Sequence, residues 1–433
     1  MSQVPMSYPD LVMHMSHHDR GCPTIIEMDD GRLLLAGYEK IFVSRDGGLT
    51  WPEHFTGIDS DGRPVVANSM SMVKLDGECI GMHGLDIDHG FDEPRHLYWR
   101  SEDGGKNWSV PVVMTPPDRT ARAYLDTMIR TRSGRLVAPF YTEVRLGDWY
   151  EPGQPERRKE DNPVGGGLVN GVFVSTSCHN FDPALGTCYV CYSDDEGRTW
   201  SPQDNGQLFI NWEVGSLYGS VFEPSIVEVS PGKLLMFMRT GLGRLFESWS
   251  YDDGVTWNRP APTNLASSHS PAQLERLPNG HLLCIWNQQS EDEVRRGFIR
   301  TRISTAISRN EGVIWEHFQN LESIHEEVRV EPGPIRPTRT AQNYCLSGRI
   351  PPERDGRFVT ELPTNLSSCS YPTALVCKDR VLIHHSNGYV AKQGERLQGD
   401  RGYKILPLRW FYGDREPFEN PNLPKDPNVP AVP

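Results

Sequence analysis

One eight-residue pattern recurs five times in this chain and constrains its fold more than any bulk property does. The copies are SRDGGLTW (44–51), SEDGGKNW (101–108), SDDEGRTW (193–200), SYDDGVTW (250–257) and SRNEGVIW (308–315). Their tryptophans, Trp51, Trp108, Trp200, Trp257 and Trp315, lie 57, 92, 57 and 58 residues apart. A period of that size is one supersecondary unit, and the long interval holds a single insertion. Within a copy the Asp side chain can accept backbone N–H groups in a tight turn, the Gly supplies a positive φ, and the Trp returns over the core of its unit. The fifth copy is degraded, with Asn310 in place of the Asp and Ile314 in place of the Thr. These boxes read as structural turns with an anchor, not as catalytic groups.

A second repeat precedes the boxes and occurs six times, as an apolar strand, a turn and another apolar strand. Its copies span 22–38, 68–84, 125–141, 223–239, 270–287 and 370–386. Each unit then continues with an amphipathic strand such as GRLFESWS, the box turn and a short outer strand. That is a four-stranded antiparallel blade. Blades bury their faces only against neighbours, so six of them must close on themselves. The expected fold is all-β, a six-bladed β-propeller, with residues 1–433 as a single domain. No box follows the sixth unit, so SYPDLVMHM (7–15) is expected to supply the outer strand of blade six and latch the ring. Insertions at about 144–168 and 325–366 read as covers or interfaces, because loops of that length are usually functional.

Composition narrows the partners. Gly and Pro account for 75 of the 433 residues, which fits a chain of many turns. A net charge of −13 argues against a nucleic-acid backbone or an anionic membrane surface. No apolar run approaches the ~18 residues of a membrane span. The N-terminus shows neither a basic region nor an apolar core of a leader, so a cytoplasmic location is the expectation. The nine cysteines are odd in number and irregularly spaced, which suits reduced thiols. Cys188 and Cys191 form a C-x-x-C inside an alternating strand, where side chains three apart face opposite ways, so both read as buried thiols. Self-association is left open.

In a blade of this kind the first strand starts, and the second strand ends, at the same face of the ring. Residues at those points converge on one end of the axis. They include Arg20 and Glu39 from blade one, His83 and Asp86 from blade two, Asp126 from blade three, Glu223 and Arg239 from blade four, Asn287 from blade five and Tyr371 from blade six. The third strand of blade five starts at that face too and brings Arg300. Guanidiniums brought together repel unless an anion joins them, so Arg20, Arg239 and Arg300 read as a clamp for a carboxylate or sulfate. His83, Asp126 and Asn287 are the further candidates for substrate contact.

The boxes and the run EPSIVEVSPGKLLMFMR resemble the sialidase (neuraminidase) superfamily over nearly the whole ring. The resemblance implies a six-bladed propeller in which Glu223 opens and Arg239 closes the first two strands of blade four, Arg300 leads to the fifth box, and Tyr371 is the nucleophile. It implies that three arginines hold a sugar carboxylate, that Glu223 takes the phenolic proton, and that Tyr371 forms a covalent glycosyl intermediate. The superfamily's general acid lies between the second and third strands of blade one, where this chain runs directly from LLLAGYE to KIFVS. The acid role then falls to Glu39 or to the blade-two loop GLDIDHGFDEPRH, with Asp86 foremost.

The expected activity is exo-acting hydrolysis of a terminal acidic sugar, sialic acid or a relative, with retention through the Tyr371 and Glu223 pair and no cofactor. A metal site from His18, His83 and His385 is set aside, because no single element carries a chelating histidine spacing. Two alternatives stay open. One is a polysaccharide lyase that removes the proton α to a uronate carboxylate with a tyrosine and a histidine. The other is a glycan-binding propeller without catalysis.

Overall fold

In the computed structural model, the residues described are 6–7, 24–37, 40–65, 69–86, 95–115, 121–145, 166–169, 172–175, 184–203, 208–210, 221–295, 298, 300–335, 367–390, 396–398 and 403–413. They form six antiparallel blades in a ring, a six-bladed β-propeller. Blade one comprises Thr24–Glu27, Leu33–Gly37, Lys40–Ser44 and Glu53–Phe55, and blade two Ser69–Lys74, Ile80–Asp86, Arg95–Ser101 and Val112–Val113. Blade three has a short inner strand, Ile129–Arg130, then Leu136–Arg145, Ala184–Ser193 and Ser201–Pro202. Blade four is Val221–Ser230, Lys233–Thr240, Arg244–Ser250 and Ala261–Ala266, and blade five Ala272–Arg276, Leu282–Trp286, Arg302–Ser308 and Glu316–Ser323. Blade six is Ser367–Val376, Arg380–Val390, Arg396–Gln398 and Tyr403–Pro407.

The core lies in the seams between blades. Each of six apolar clusters draws on two neighbouring blades, and the cluster of Ile25, Leu33 and Leu35 with Leu382 and Tyr403 closes the ring between blades one and six. Box tryptophans enter five of these seams: Trp108, Trp257 and Trp315 are buried, and Trp51 and Trp200 pack on theirs from the edge. The seam between blades five and six has no box to draw on. A 3-10 helix, Leu408–Tyr412, fills it with Trp410, Phe411 and Tyr412. Each large side chain withdrawn from water there contributes about 2–3 kcal/mol.

The boxes work as their residue types require. In box four, Asp252 accepts from the Thr256 N–H at 2.8 Å and from the Thr256 hydroxyl at 2.5 Å, and Ser250 Oγ accepts from the Gly254 N–H at 2.9 Å. Gly254, at φ 89°, turns the chain so that the Trp257 indole donates to its carbonyl at 2.9 Å. Box five keeps the Asn310 contact to the Ile314 N–H at 2.8 Å, but Ile314 has no hydroxyl to offer the second position.

Of the segment expected to latch blade six, only Ser7 is described: Met6–Ser7 pairs with Ser323 and Glu322 on the outer edge of blade five, and residues 8–15 lie outside the described residues. In blade six, Arg396–Gln398 and Tyr403–Pro407, from the C-terminal side, pair with successive parts of Arg380–Val390. The first insertion joins the second and third strands of blade three and contains a hairpin, Gly166–Val169 with Val172–Ser175. The start of the second insertion is strapped over blade five. Buried Gln288 donates to the Val328 carbonyl at 2.9 Å and accepts from the Val330 N–H at 2.7 Å.

The cysteines follow the alternation argument. Cys188 is buried in the seam of blades three and four, and Cys191 in that of blades two and three, so the pair faces opposite ways. All six described cysteines are free.

Candidate functional site

The inner strands of blades four and six each slip register where they open at the mouth, between Phe222 and Ser225 and between Ser370 and Thr373. Inside the slips sit Glu223-Pro224 and Tyr371-Pro372. A bulge re-aims a side chain that the pleat would otherwise send into a seam. Eight described non-glycine residues have positive φ: Glu196, Asp253 and Glu311 belong to box turns, one is His317, and the other four are Asp126, Glu223, Arg300 and Tyr371. A left-handed non-glycine residue costs about 1–3 kcal/mol, and such strain is retained where it fixes a functional geometry. All four are residues that the strand logic sends to the mouth.

The Tyr371 hydroxyl donates to Glu223 Oε1 at 2.9 Å. Arg239 donates through Nη1 to Glu223 Oε2 at 2.5 Å, and the same nitrogen lies 3.4 Å from the Tyr371 oxygen. Arg300 approaches from the other side, its guanidinium carbon 5.2 Å from the Tyr371 ring centre. It donates to the His269 carbonyl at 3.2 Å and faces Ser370 Oγ at 3.4 Å. Arg239 and Arg300 are each only 4% exposed, so their charges are weakly screened. Arg300 beside the ring favours negative charge on the phenol oxygen, while Arg239, bonded to Glu223 and 3.4 Å from that oxygen, holds charge on either partner.

The surrounding aromatic groups hold this arrangement in place. The ring of buried Tyr124 lies 5.9 Å from that of Tyr371, and its hydroxyl donates to the Pro372 carbonyl. Tyr141 packs edge-on against Phe222. Burial pushes the Tyr141 phenol well above its ordinary range, with the nearby Glu223 carboxylate adding to the effect, so it stays protonated.

Arg20 and Glu39 lie outside the described residues, and of Asp86 only the backbone is described, closing the second strand of blade two. The missing blade-one loop is confirmed in outline, since Gly37 pairs directly with Lys40. His83 is buried under Phe140 and bonded to His96 at 2.9 Å, not turned to Tyr371. His96 passes its other nitrogen to the Ala121 carbonyl at 3.0 Å. Burial holds His96 down at about 4 and His83 well below its ordinary range, so both are neutral. Asn287 is fully buried and braces blades five and six: its amide donates to the Arg302 and Cys369 carbonyls at 2.7 and 2.8 Å, and its oxygen accepts from Ser270. That amide is spent on the scaffold. His385 belongs to a buried cluster with Glu322 and Lys404, in a different seam from His83, while His18 lies outside the described residues.

The family model for the BNR repeat-like domain matches residues 62–384, well over half of the chain. The chain belongs to that family. Among solved structures, this BNR-repeat propeller is similar to a Trypanosoma rangeli sialidase captured as a covalent intermediate with 2,3-difluorosialic acid. The TM-score is 0.50 at 14% identity, over 93% of this chain and 55% of that one. It is also similar to a Dyadobacter fermentans protein of unknown function, with TM-score 0.51 and 16% identity over 93% of this chain and 99% of that one. At such identities the likeness is one of fold, and this chain spans little more than half of the trypanosomal one.

Three further residues of this BNR-repeat ring, Tyr124, Gln273 and Glu275, lie by the axis without having been singled out. Tyr124 belongs, with Asp126, to the lead-in of blade three, which replaces most of its inner strand. Gln273 and Glu275 are two apart on the inner strand AQLER of blade five, so they share one face of the pleat. Two polar residues at that spacing, alternating with Ala272 and Leu274, were the available signal.

Proposed function

We propose that this protein is an exo-acting glycoside hydrolase of sialidase type that accepts a terminal acidic sugar and works with retention. The observation that carries this reading is the hydrogen bond from Tyr371 to Glu223 with a buried guanidinium on each side. An anomeric carbon that bears its own carboxylate repels a carboxylate nucleophile, whereas a phenol is neutral until it reacts. The sugar carboxylate would bridge Arg239 and Arg300, with Arg20 as the third arm. Tyr371 Oη attacks the anomeric carbon as Glu223 accepts its proton, and the bond to the aglycone oxygen breaks. That oxygen takes a proton from a mouth carboxyl, Glu39 or Asp86. Water then displaces the phenol with a second inversion, giving up one proton to the mouth carboxylate that had protonated the aglycone, and the proton on Glu223 returns to Tyr371.

The test is a panel of aryl glycosides of acidic sugars, headed by an aryl α-sialoside. Release of the aryl alcohol with retained anomeric configuration supports the reading. New absorbance near 230 nm from uronate-containing glycans would point to a lyase instead. Glycan binding with neither signal would leave a binding propeller.

A further inference from the structure

The residue that opens blade three, Asp126, shares with Glu223 and Tyr371 both its place at the mouth and its left-handed backbone, at φ 54°. Its segment leaves the blade and crosses the axis. The Met128 N–H donates to Ser71 of blade two at 3.1 Å, Thr24 of blade one donates to the Asp126 carboxylate, Gln273 of blade five donates to the Asp126 carbonyl at 3.0 Å, and Tyr124 reaches Pro372 of blade six. A segment held by four other blades closes the shaft behind Tyr371. The aglycone of an exo-acting enzyme points out to solvent, so the enclosed Asp126 faces the buried end of a bound sugar and not its leaving group.

The polar atoms there form a matched set. Gln273 is 2% exposed, and its amide nitrogen donates to the Asp126 carbonyl and, at 2.7 Å, to Glu275 Oε1. A carbonyl can only accept, which fixes the amide and leaves Gln273 Oε1 buried without a partner among the described residues. We propose that the Asp126 carboxyl and Gln273 Oε1 make the floor of the sugar pocket and select a ring hydroxyl remote from the sugar carboxylate. Asp126 donates to that hydroxyl, and the hydroxyl donates to Gln273. This rests on the acidic-sugar reading above and adds to it which part of the sugar is read.

Burial pushes the Asp126 carboxyl up to about 7, against the pull of the Thr24 hydrogen bond. Among the described residues, blade one faces it with the Thr24 hydroxyl, and the charged group on the blade-five side is Glu275, itself pushed up to about 8 by burial. Neither the sugar carboxylate nor a guanidinium titrates between pH 6 and pH 8. The floor therefore predicts a pH dependence of affinity that the clamp does not.

Calorimetric binding of free N-acetylneuraminic acid and glucuronic acid, to variants that keep the wild-type melting temperature, tests this. Wild-type affinity should fall about tenfold from pH 6 to pH 8 as the proton leaves a group titrating near 7. Asp126→Asn, whose amide keeps a donor, should bind within about twofold of wild type at pH 6 and lose the pH dependence, while Asp126→Ala should bind about tenfold more weakly at pH 6. Binding that Arg239→Ala abolishes but Asp126→Ala leaves unchanged, or an Asp126→Asn profile that still follows pH, overturns the floor alone. Failure of both sugars to bind wild type overturns the acidic-sugar reading and the floor with it.

Discussion

Tyr371 and Glu223, 148 positions apart in the chain and on blades six and four, meet in a 2.9 Å hydrogen bond. In the proposed mechanism the two do separate work, Tyr371 forming the covalent bond and Glu223 holding its proton. Tyr371→Phe should lower turnover of an aryl sialoside by ~10³-fold or more and leave affinity for free sugar within a few-fold. Glu223→Gln should lower turnover similarly, while also freeing Arg239 from its counter-charge. Near-normal turnover by Tyr371→Phe in a steady-state assay would falsify the nucleophile assignment.

Arg239 has two roles that substitution separates. It anchors Glu223 and lies 3.4 Å from the phenol oxygen. Lysine keeps the charge but not the planar fork that grips a carboxylate at two points. Arg239→Lys should therefore raise KM about tenfold or more with a smaller change in kcat. A kcat loss with KM unchanged would show that the guanidinium serves the chemistry and not the substrate.

The boxes give a prediction about stability alone. Asp252→Ala removes the acceptor for two short bonds that close the turn before Trp257. The expected loss is about 1–2 kcal/mol in urea unfolding, with kinetic constants unchanged. The converse applies to box five, where Asn310→Asp with Ile314→Thr rebuilds the missing contact and should add up to about 1 kcal/mol.

At the seam of blades five and six, burial alone would push the Glu322 carboxyl up, but His385 and Lys404 outweigh it and hold it down at about 2. The Lys404 side chain is fully buried and 3.2 Å from Glu322 Oε1. Glu322→Gln removes the carboxylate charge beside that buried ammonium and should cost about 3–5 kcal/mol. Glu322→Gln with Lys404→Met should recover most of it, and a double-mutant cycle by urea unfolding measures the coupling.

What the sequence made legible was what repeats or what sits at the end of a strand. Five boxes and six strand pairs specify six blades, and the start and end rule brings Glu223, Arg239, Arg300 and Tyr371 to one place. The same rule misplaced His83 and Asn287, because pleat faces alternate every residue and one bulge reverses the choice. Blade two has such a slip between Ser69 and Ser71, unseen in the sequence. The Met6–Ser7 strand is two residues long and has no periodicity to read. Gln273 and Glu275 alternate with Ala272 and Leu274 on their strand, and alternation alone does not say which face meets the axis.

Asp126 and Glu275 also make the stability of the ring depend on pH, with a sign opposite to that of Glu322. Burial raises both carboxyls, so the folded state binds protons that the unfolded chain has already released. Their contribution is fully present below about pH 4, where both states are protonated. It is lost as pH rises through the folded values near 7 and 8. Glu275→Gln cannot ionise, so it should be more stable than wild type at pH 8 by on the order of 2 kcal/mol, allowing for water in the shaft, and equal to it near pH 4. Urea unfolding at the two pH values measures the difference. An equal gain at both would mean that the introduced amide packs better in the shaft, whereas a gain confined to high pH assigns it to the charge that burial resists.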